Sequence, residues 1–482
     1  MNQTLHARVR SGLRWSVMQS WGVKGLTLLL YLVLARLLTP VEFGIAAAVA
    51  LVLLLQQLVS EFGFGEALIQ RGALSKKDVT LPFVAGVGAS VGLSVLVIVF
   101  AERIEVLINV PGLAPYLVVA SLFSPLATAT AFQEALYKRD LDFRTLAIRQ
   151  FVALGVSGVV GVACALAGMG AWSLVIQAAV LTVVSTIWLW RKPRWLPTRQ
   201  HDWASFRAIG PFGASVVSTR LVDFAATRSI DVFIATMHGA AALGLYAIGA
   251  KLYQTAMELL FRAFMDVSLS ALSKLAHDPA SLRSTYRRVV SASSLFGTPV
   301  FFAMAALSPE ITHLLFGGKW AGSEAVMASL MLLGGIQCVQ FANGPYFSAV
   351  GKPHLTLWLT LIKLAAVIPA ITLIESGNVA DMVNIYVVAL LFVTPFSYVF
   401  LSRELGIRLR DIALWIMPGL MSAGIAYACV GMARASLSVH GLHAAWALLA
   451  FGTLYAAVYA ALAMLTARTS VHETVRLIRR SA

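Results

Sequence analysis

Charge is scarce in this chain. Asp, Glu, Lys and Arg make up only 12% of its 482 residues, against 59% hydrophobic residues. That imbalance excludes an ordinary water-soluble domain, whose surface needs about twice that share of charge. Long polar stretches are missing too. The longest, residues 191–207, has 17 residues and cannot fold as a separate soluble domain. Acids are rarer than bases, 22 against 37, which leaves a formal net charge of +15. In a soluble protein that excess points to nucleic acid. Here the bases sit in short loops between apolar runs, the pattern that orients membrane helices, so no nucleic-acid partner is expected. Cysteine is nearly absent. Cys164, Cys338 and Cys429 lie in separate apolar runs and offer neither a disulfide framework nor a metal set. The nine histidines are scattered without paired metal spacing. No Gly-x-x-x-x-Gly-Lys-Ser/Thr loop is present, which excludes direct use of ATP. No cofactor and no metal are expected, and no catalytic residue stands out.

Long hydrophobic runs fill the length instead, and mean hydropathy is +0.81. A bilayer crossing needs roughly 20 apolar residues in a helix. Breaks at Pro, Gly and charge clusters predict about fourteen such helices. They cover residues 13–37, 43–68, 79–100, 114–136, 145–168, 171–190, 207–236, 241–271, 288–308, 324–348, 355–375, 381–402, 411–433 and 443–466. The first run is too long for a signal-peptide core, so it reads as a retained span. With the N-terminus inside, 26 of the 37 Lys and Arg fall in cytoplasmic segments, eight fall inside spans, and only Arg103, Lys319 and Arg434 fall outside. Both termini are therefore expected in the cytoplasm. The longest external loops, near residues 102–112 and 309–323, are too short for a catalytic domain, which speaks against a membrane-embedded polymerase, ligase or other enzyme.

The chain also repeats. An offset of 200 residues lays Phe43-Gly44 on Leu243-Gly244, each opening an apolar run after an outer turn. Each copy then holds six crossings. An even number gives two parallel halves about an axis along the membrane normal, a transporter architecture. The expected fold is all-α and polytopic: an N-terminal lobe over residues 1–200, a C-terminal lobe over 201–405, and a C-terminal helix pair with a basic tail over 406–482.

The eight cations inside spans are Lys24, Arg36, Arg149, Arg220, Arg228, Lys251, Arg262 and Lys363. A charge at mid-bilayer costs several kcal/mol unless it meets water, a partner or a charged cargo. Helical spacing arranges them in stripes. Span 1 carries Ser16, Ser20, Lys24, Thr27 and Tyr31. Span 2 carries Gln57, Ser60 and Glu61. Span 7 carries Arg220, Asp223, Thr227 and Asp231, with Arg228 to one side, and span 8 carries Lys251, Gln254, Thr255, Glu258 and Arg262. Local ion pairing competes with a lumen for Arg220 with Asp223, Arg228 with Asp231 and Glu258 with Arg262. Arg36 lies near the outer end of its helix, where snorkelling suffices, and Arg149 lies near an inner end. Lys24 and Lys363 have no acid within one turn, which favours a shared cavity or an anionic cargo.

Arginine suits phosphate or pyrophosphate through paired hydrogen bonds, and lysine suits it as a point charge. Ser20, Thr27, Tyr31, Gln57 and Gln254 suit sugar hydroxyls. The expected substrate-binding set is thus Lys24, Arg220, Arg228, Lys251, Arg262 and Lys363 with those five polar residues. Glu61, Asp223 and Glu258 are candidates for proton or sodium coupling.

Three segments carry a family resemblance. Arg36-Leu37-Leu38-Thr39-Pro40-Val41-Glu42-Phe43-Gly44, after the first helix, resembles the signature of Wzx-type polysaccharide flippases. Phe62-Gly63-Phe64-Gly65-Glu66-Ala67-Leu68-Ile69-Gln70 is similar to the segment closing the family's second helix, and Tyr137 to Arg144 to its basic loop after the fourth. The resemblance places the chain with lipopolysaccharide and exopolysaccharide translocases of the multidrug/oligosaccharidyl-lipid/polysaccharide exporter superfamily. It implies a two-lobed bundle in a bacterial inner membrane. It further implies flipping of undecaprenyl-pyrophosphate-linked oligosaccharide by alternating access, alongside a polymerase and co-polymerase. The alternatives are a peptidoglycan-precursor lipid flippase and a multidrug or cation antiporter of the same superfold. The last would want an acid-dominated lumen, whereas here cations outnumber acids.

Overall fold

Thr39, Pro40 and Glu42 show how this sequence starts a helix. The Thr39 N–H donates to Glu42 Oε2 at 2.7 Å, the Glu42 N–H donates back to Thr39 Oγ1 at 3.4 Å, and Pro40 occupies the first helical turn. This capping box satisfies two backbone donors that a helix start would otherwise leave open. Part of the family-like segment is therefore a folding signal.

The computed structural model describes residues 21–62, 76–198, 202–274, 278–352, 354–436 and 444–466. Its regular elements, among the described residues, are all helical. Helix α1 covers 21–37, α2 Pro40–Glu61, α3 Lys76–Val99, α4 Ala101–Ile108, α5 Ala114–Leu122, α6 Ser124–Arg139, α7 Phe143–Leu166 and α8 Trp172–Trp190. A 72-residue helical stretch, α9 (Trp203–Lys274), bends at Gly239, whose φ of 78° and ψ of −173° are open to glycine. Helix α10 (Pro279–Ala292) runs through a π-turn, Ser293–Gly297, into α11 (Thr298–Ala306). Then come α12 Ser308–Phe316, α13 Ser323–Gln340, α14 Asn343–Ala349, α15 His354–Leu373, α16 Val379–Leu405, α17 Leu409–Ser436 and α18 Ala444–Thr466.

Twelve helices among the described residues are long and apolar enough to cross a membrane. One of them, Gly213–Leu260, is 48 residues long and bends at Gly239, between the expected spans 207–236 and 241–271, and α1 falls on the first expected span. The chain is a multi-pass membrane protein. Two segments read as external loops are in fact short helices, α4 and α12. Eight or nine residues are too few to show a persistent hydrophobic period, so spacing alone missed them. Residues 63–70 of the second family-like segment, Ser16, Ser20 and the C-terminal tail lie outside the described residues.

The chain divides into two compact units, residues 1–244 and 245–482. In the first, Val79, Phe132, Leu136 and Trp195 form a buried cluster. Buried hydroxyls and one amide join its helices: Gln56 Nε2 donates to Ser94 Oγ at 2.7 Å, and Ser94 Oγ donates to the Ser121 carbonyl at 2.8 Å. Such bonds hold helices together where lipid removes the hydrophobic drive. Ser60, read from spacing as part of a polar cluster with Gln57 and Glu61, is fully buried and returns its proton to the Gln56 carbonyl. In the second unit α17 and α18 pack through Ala423, Ala426, Val430, Ala447 and Phe451 onto Phe302 and Ala306. Arg434 of α17 clamps Glu310 of α12 through both carboxylate oxygens, at 2.8 and 2.7 Å.

Candidate functional site

Apolar helices carry the charged groups, so each unit shows its own polar face. In the first unit that face involves α1, α2 and the first half of α9. Thr27 Oγ1 returns its proton to the Val23 carbonyl at 2.7 Å, and Tyr31 packs edge-on against Phe43 with ring centroids 5.2 Å apart. The Lys24 ammonium is enclosed within the unit, away from the surface. On α2, Gln57 is exposed and its Nε2 donates to Glu61 Oε1 at 2.8 Å. The other oxygen of Glu61, Oε2, faces Arg220 Nη1 of α9 at 3.5 Å. Glu61 is thus held between an amide and a guanidinium from another helix. At 24% and 41% side-chain exposure the pair is only partly enclosed by the protein.

Further along α9, Asp223 is exposed and its carbonyl accepts from Thr227 Oγ1 at 2.7 Å. Arg228 pairs with Asp231 at 3.7 Å, the local i,i+3 geometry anticipated from spacing. Arg149 is different. It is buried, at 6% exposure, and bonds Glu134 of α6 at 2.8 Å, while Lys138 reaches the same carboxylate at 2.9 Å. This triad ties α6 to α7 inside the helix packing. Arg36 is exposed at the end of α1.

In the second unit Lys251, Gln254 and Thr255 are half-buried and Glu258 is exposed on one helix. Thr255 Oγ1 donates to the Lys251 carbonyl at 2.8 Å. Lys363 is half-buried on α15. The Arg262 side chain lies outside the described residues. Sequence reasoning missed Tyr253, whose hydroxyl donates to Gln337 Oε1 of α13 at 2.6 Å. The signal was a tyrosine one position from the Gln254 stripe. Among the described residues no group of three or more His, Cys, Asp or Glu is placed to hold a metal ion.

A cluster of hydrogen bonds gathers around Glu105 and Asn109. Glu105 of α4 accepts the Ala114 N–H at 2.7 Å and the Gly112 N–H at 2.8 Å, and these bonds hold its carboxyl below the usual range. Asn109, at φ 57°, donates to the Thr236 carbonyl of α9 at 3.0 Å.

Comparison with known proteins places this architecture. The succinoglycan biosynthesis transport protein ExoT of Rhizobium meliloti is 24% identical over 484 residues, covering 99% of this chain and 97% of that protein. The lipopolysaccharide biosynthesis protein WzxC of Escherichia coli is 23% identical over 426 residues, covering 86% and 85%. Among solved structures, the lipid II flippase MurJ in its inward closed conformation superposes with a TM-score of 0.74 at 12% identity, over 95% of this chain and all of that one. An inward-facing multidrug resistance MATE transporter gives 0.58 over 80% of this chain and 96% of its own, again at 12% identity. The all-α transporter fold is thereby shown, and the Wzx-type resemblance read from the first third of the sequence is borne out. Residues 33–325 match the family model described as polysaccharide biosynthesis protein, and with more than half its length so matched the chain belongs to that family.

Proposed function

We propose that the chain flips a lipid-linked oligosaccharide, carried on undecaprenyl pyrophosphate, from the cytoplasmic to the periplasmic leaflet of a bacterial inner membrane by alternating access. It acts as a transporter and not as an enzyme. The observation that carries this reading is the group formed by Gln57, Glu61 and Arg220 on otherwise apolar helices. Such a group is costly in lipid and is retained where ions or polar cargo pass. The near full-length likeness to a succinoglycan transport protein supports the polysaccharide direction. Lys24, Arg220 and Arg228 of the first unit and Lys251, Arg262 and Lys363 of the second are the cations that would meet the diphosphate during transport, and the amides and hydroxyls of the stripes would take the sugar. Glu61 would couple transport to a proton or sodium ion. Its bond to Arg220 breaks when the guanidinium turns to a phosphate, and the freed carboxylate then takes up a cation. Residues 1–200 and 201–405 would form the two repeating halves, with 406–482 as an added helix pair. A polymerase and co-polymerase would work downstream.

The test is a deletion strain with its lipid-linked repeat units assayed by leaflet. Loss of surface polymer together with accumulation of the lipid-linked unit on the cytoplasmic face is expected, with restoration by the wild-type gene. Normal polymer in the deletion strain, or rescue of a strain starved of peptidoglycan-precursor flipping, would overturn the assignment.

A further inference from the structure

A second charged feature lies apart from the stripes. At the end of the first unit where α6 and α8 finish and α7 begins, a cavity of about 630 Å³ opens between Tyr137, Asp142, Thr145, Trp188 and the run Arg191 to Arg194. That volume falls within the range of small-molecule sites. Three cations line it against one acid. Arg194 is already committed: it pairs with Asp142, lies 3.6 Å from Asp140, and stacks over the Tyr137 ring at 4.5 Å. Tyr137 in turn donates to the Lys192 carbonyl, and Gln133 Nε2 donates to the Trp195 carbonyl at 2.7 Å. The loop is thus pinned from below by α6, and its shape is set before any ligand arrives. Arg191 and Lys192 are exposed, and among the described residues neither makes an ion pair. Two preplaced cations therefore face an open cavity with no acid assigned to them.

The surroundings identify the ligand class. Ile187 on α8 and Leu196 beyond the loop are exposed, so the cavity borders surface fit for hydrocarbon. Trp188 lines the cavity at the helix end, where aromatic rings meet the headgroup layer. A guanidinium beside an ammonium at that depth matches a phosphate oxygen pair.

We infer that this cavity binds the phosphodiester headgroup of an anionic membrane lipid, with Arg191 and Lys192 on the phosphate, Trp188 at the glycerol level, and the acyl chains lying along α8 past Ile187. Arg194 positions the loop through Asp142 and Tyr137. The inference is independent of the cargo proposed above, because it concerns a lipid of the surrounding bilayer held on one unit.

The experiment uses the purified full chain in a neutral detergent, titrated with phosphatidylglycerol or phosphatidylcholine and followed by native mass spectrometry. Two double variants are compared with wild type: Arg191→Gln with Lys192→Gln, and Arg408→Gln with Arg410→Gln, which removes the same charge from exposed positions of the other unit. The first is expected to bind its tightest phosphatidylglycerol about 30-fold more weakly, the combined effect of two lipid-facing cations. The second should match wild type, and phosphatidylcholine should not distinguish the three. Equal retention of phosphatidylglycerol by all three proteins, or equal loss in both variants, would overturn the site. Displacement of the lipid by equimolar inorganic phosphate would assign the cavity to a soluble anion and overturn the lipid assignment. Thermal unfolding without lipid checks folding, and polymer export in cells separates this outcome from failure of the flippase reading.

Discussion

Gly44 and Gly244 meet backbone to backbone. A β-carbon on Gly44 would come within 1.7 Å of the Ala240 carbonyl oxygen, and one on Gly244 within 1.8 Å of the Pro40 carbonyl oxygen. The contact is reciprocal: 44 touches 240, and 244 touches 40. Each pair is related to the other by the 200-residue offset visible in the sequence. Close backbone approach of this sort is a habit of glycine in membrane helices.

Replacing either glycine by alanine must therefore push the two segments apart. Gly44→Ala and Gly244→Ala are each expected to destabilise the protein by about 1–3 kcal/mol, since backbone and not a mobile side chain has to move. Gly92→Ala is the control. Nothing lies within 4 Å of its added carbon, so it should be neutral or gain about 0.5–1 kcal/mol of helix stability. Thermal unfolding in detergent of the three variants decides it, and an unchanged midpoint for Gly44→Ala would show that the contact is loose.

The triad of Arg149, Glu134 and Lys138 gives a prediction about stability alone. Removing Glu134 leaves the Arg149 guanidinium buried without its carboxylate, so Glu134→Ala should cost about 3 kcal/mol. Replacing both partners with apolar residues, as in Glu134→Leu with Arg149→Met, should recover most of that loss, because the charge is gone with its partner. A double variant no more stable than Glu134→Ala would show that the pair contributes more than its own neutralisation.

How these charges divide between structure and transport was only partly legible in the sequence. Spans of roughly 20 apolar residues follow from bilayer thickness, so their positions were read closely, and Gly44 with Gly244 was visible as an offset. The partner of Arg149 was not. Glu134 lies fifteen residues earlier on a different helix, beyond the i,i+4 spacing that reveals local pairs. The same limit hid the Glu61 bond to Arg220 and the Tyr253 bond to Gln337. Ser60 failed for the opposite reason. Its spacing puts it near Gln57 and Glu61, but one turn of helix also carries the inward face, and Gln56 sits there with it.

Transport should depend on the other charges. Lys24→Ala and Glu61→Gln are expected to abolish surface polymer while protein in the membrane fraction stays at wild-type level. The ammonium of Lys24 is enclosed and the Glu61 carboxylate lies between Gln57 and Arg220, both on apolar helices where a charged group is costly to keep. Quantifying polymer and membrane-inserted protein from the same cells separates transport from folding. Full polymer in both single variants and in the double variant would remove these residues from the translocation path. Arg262→Ala belongs in the same series.

Topology has a direct check. With Cys164, Cys338 and Cys429 replaced, single cysteines at Lys77 and Lys319 should label from opposite sides of the membrane, Lys77 only after the cytoplasmic face is exposed and Lys319 in intact spheroplasts. The distribution of basic residues demands it. Labelling of both from one side would break the alternation of spans and the cytoplasmic placement of the termini.

The hydrogen-bonded turn at Glu105 should respond to acid. Backbone donors from Gly112 and Ala114 hold the Glu105 carboxyl below its ordinary value, so the folded turn prefers the ionised form. A depressed folded-state value means that the stabilisation is complete above the unfolded value of about 4.3 and is lost as pH falls through the folded one. Below that range the carboxyl takes a proton, its bonds to the two N–H groups weaken, and the turn from Asn109 to Ala114 loosens. Hydrogen exchange at Gly112 and Ala114, normalised to an exposed loop at each pH, should therefore show protection near neutrality that disappears in acid. Glu105→Gln should remove the pH dependence at both sites, since an amide cannot ionise. Protection that persists in acid, or that survives unchanged in the Gln variant, would show that Asn109 and its bond to Thr236 hold the turn without the carboxylate.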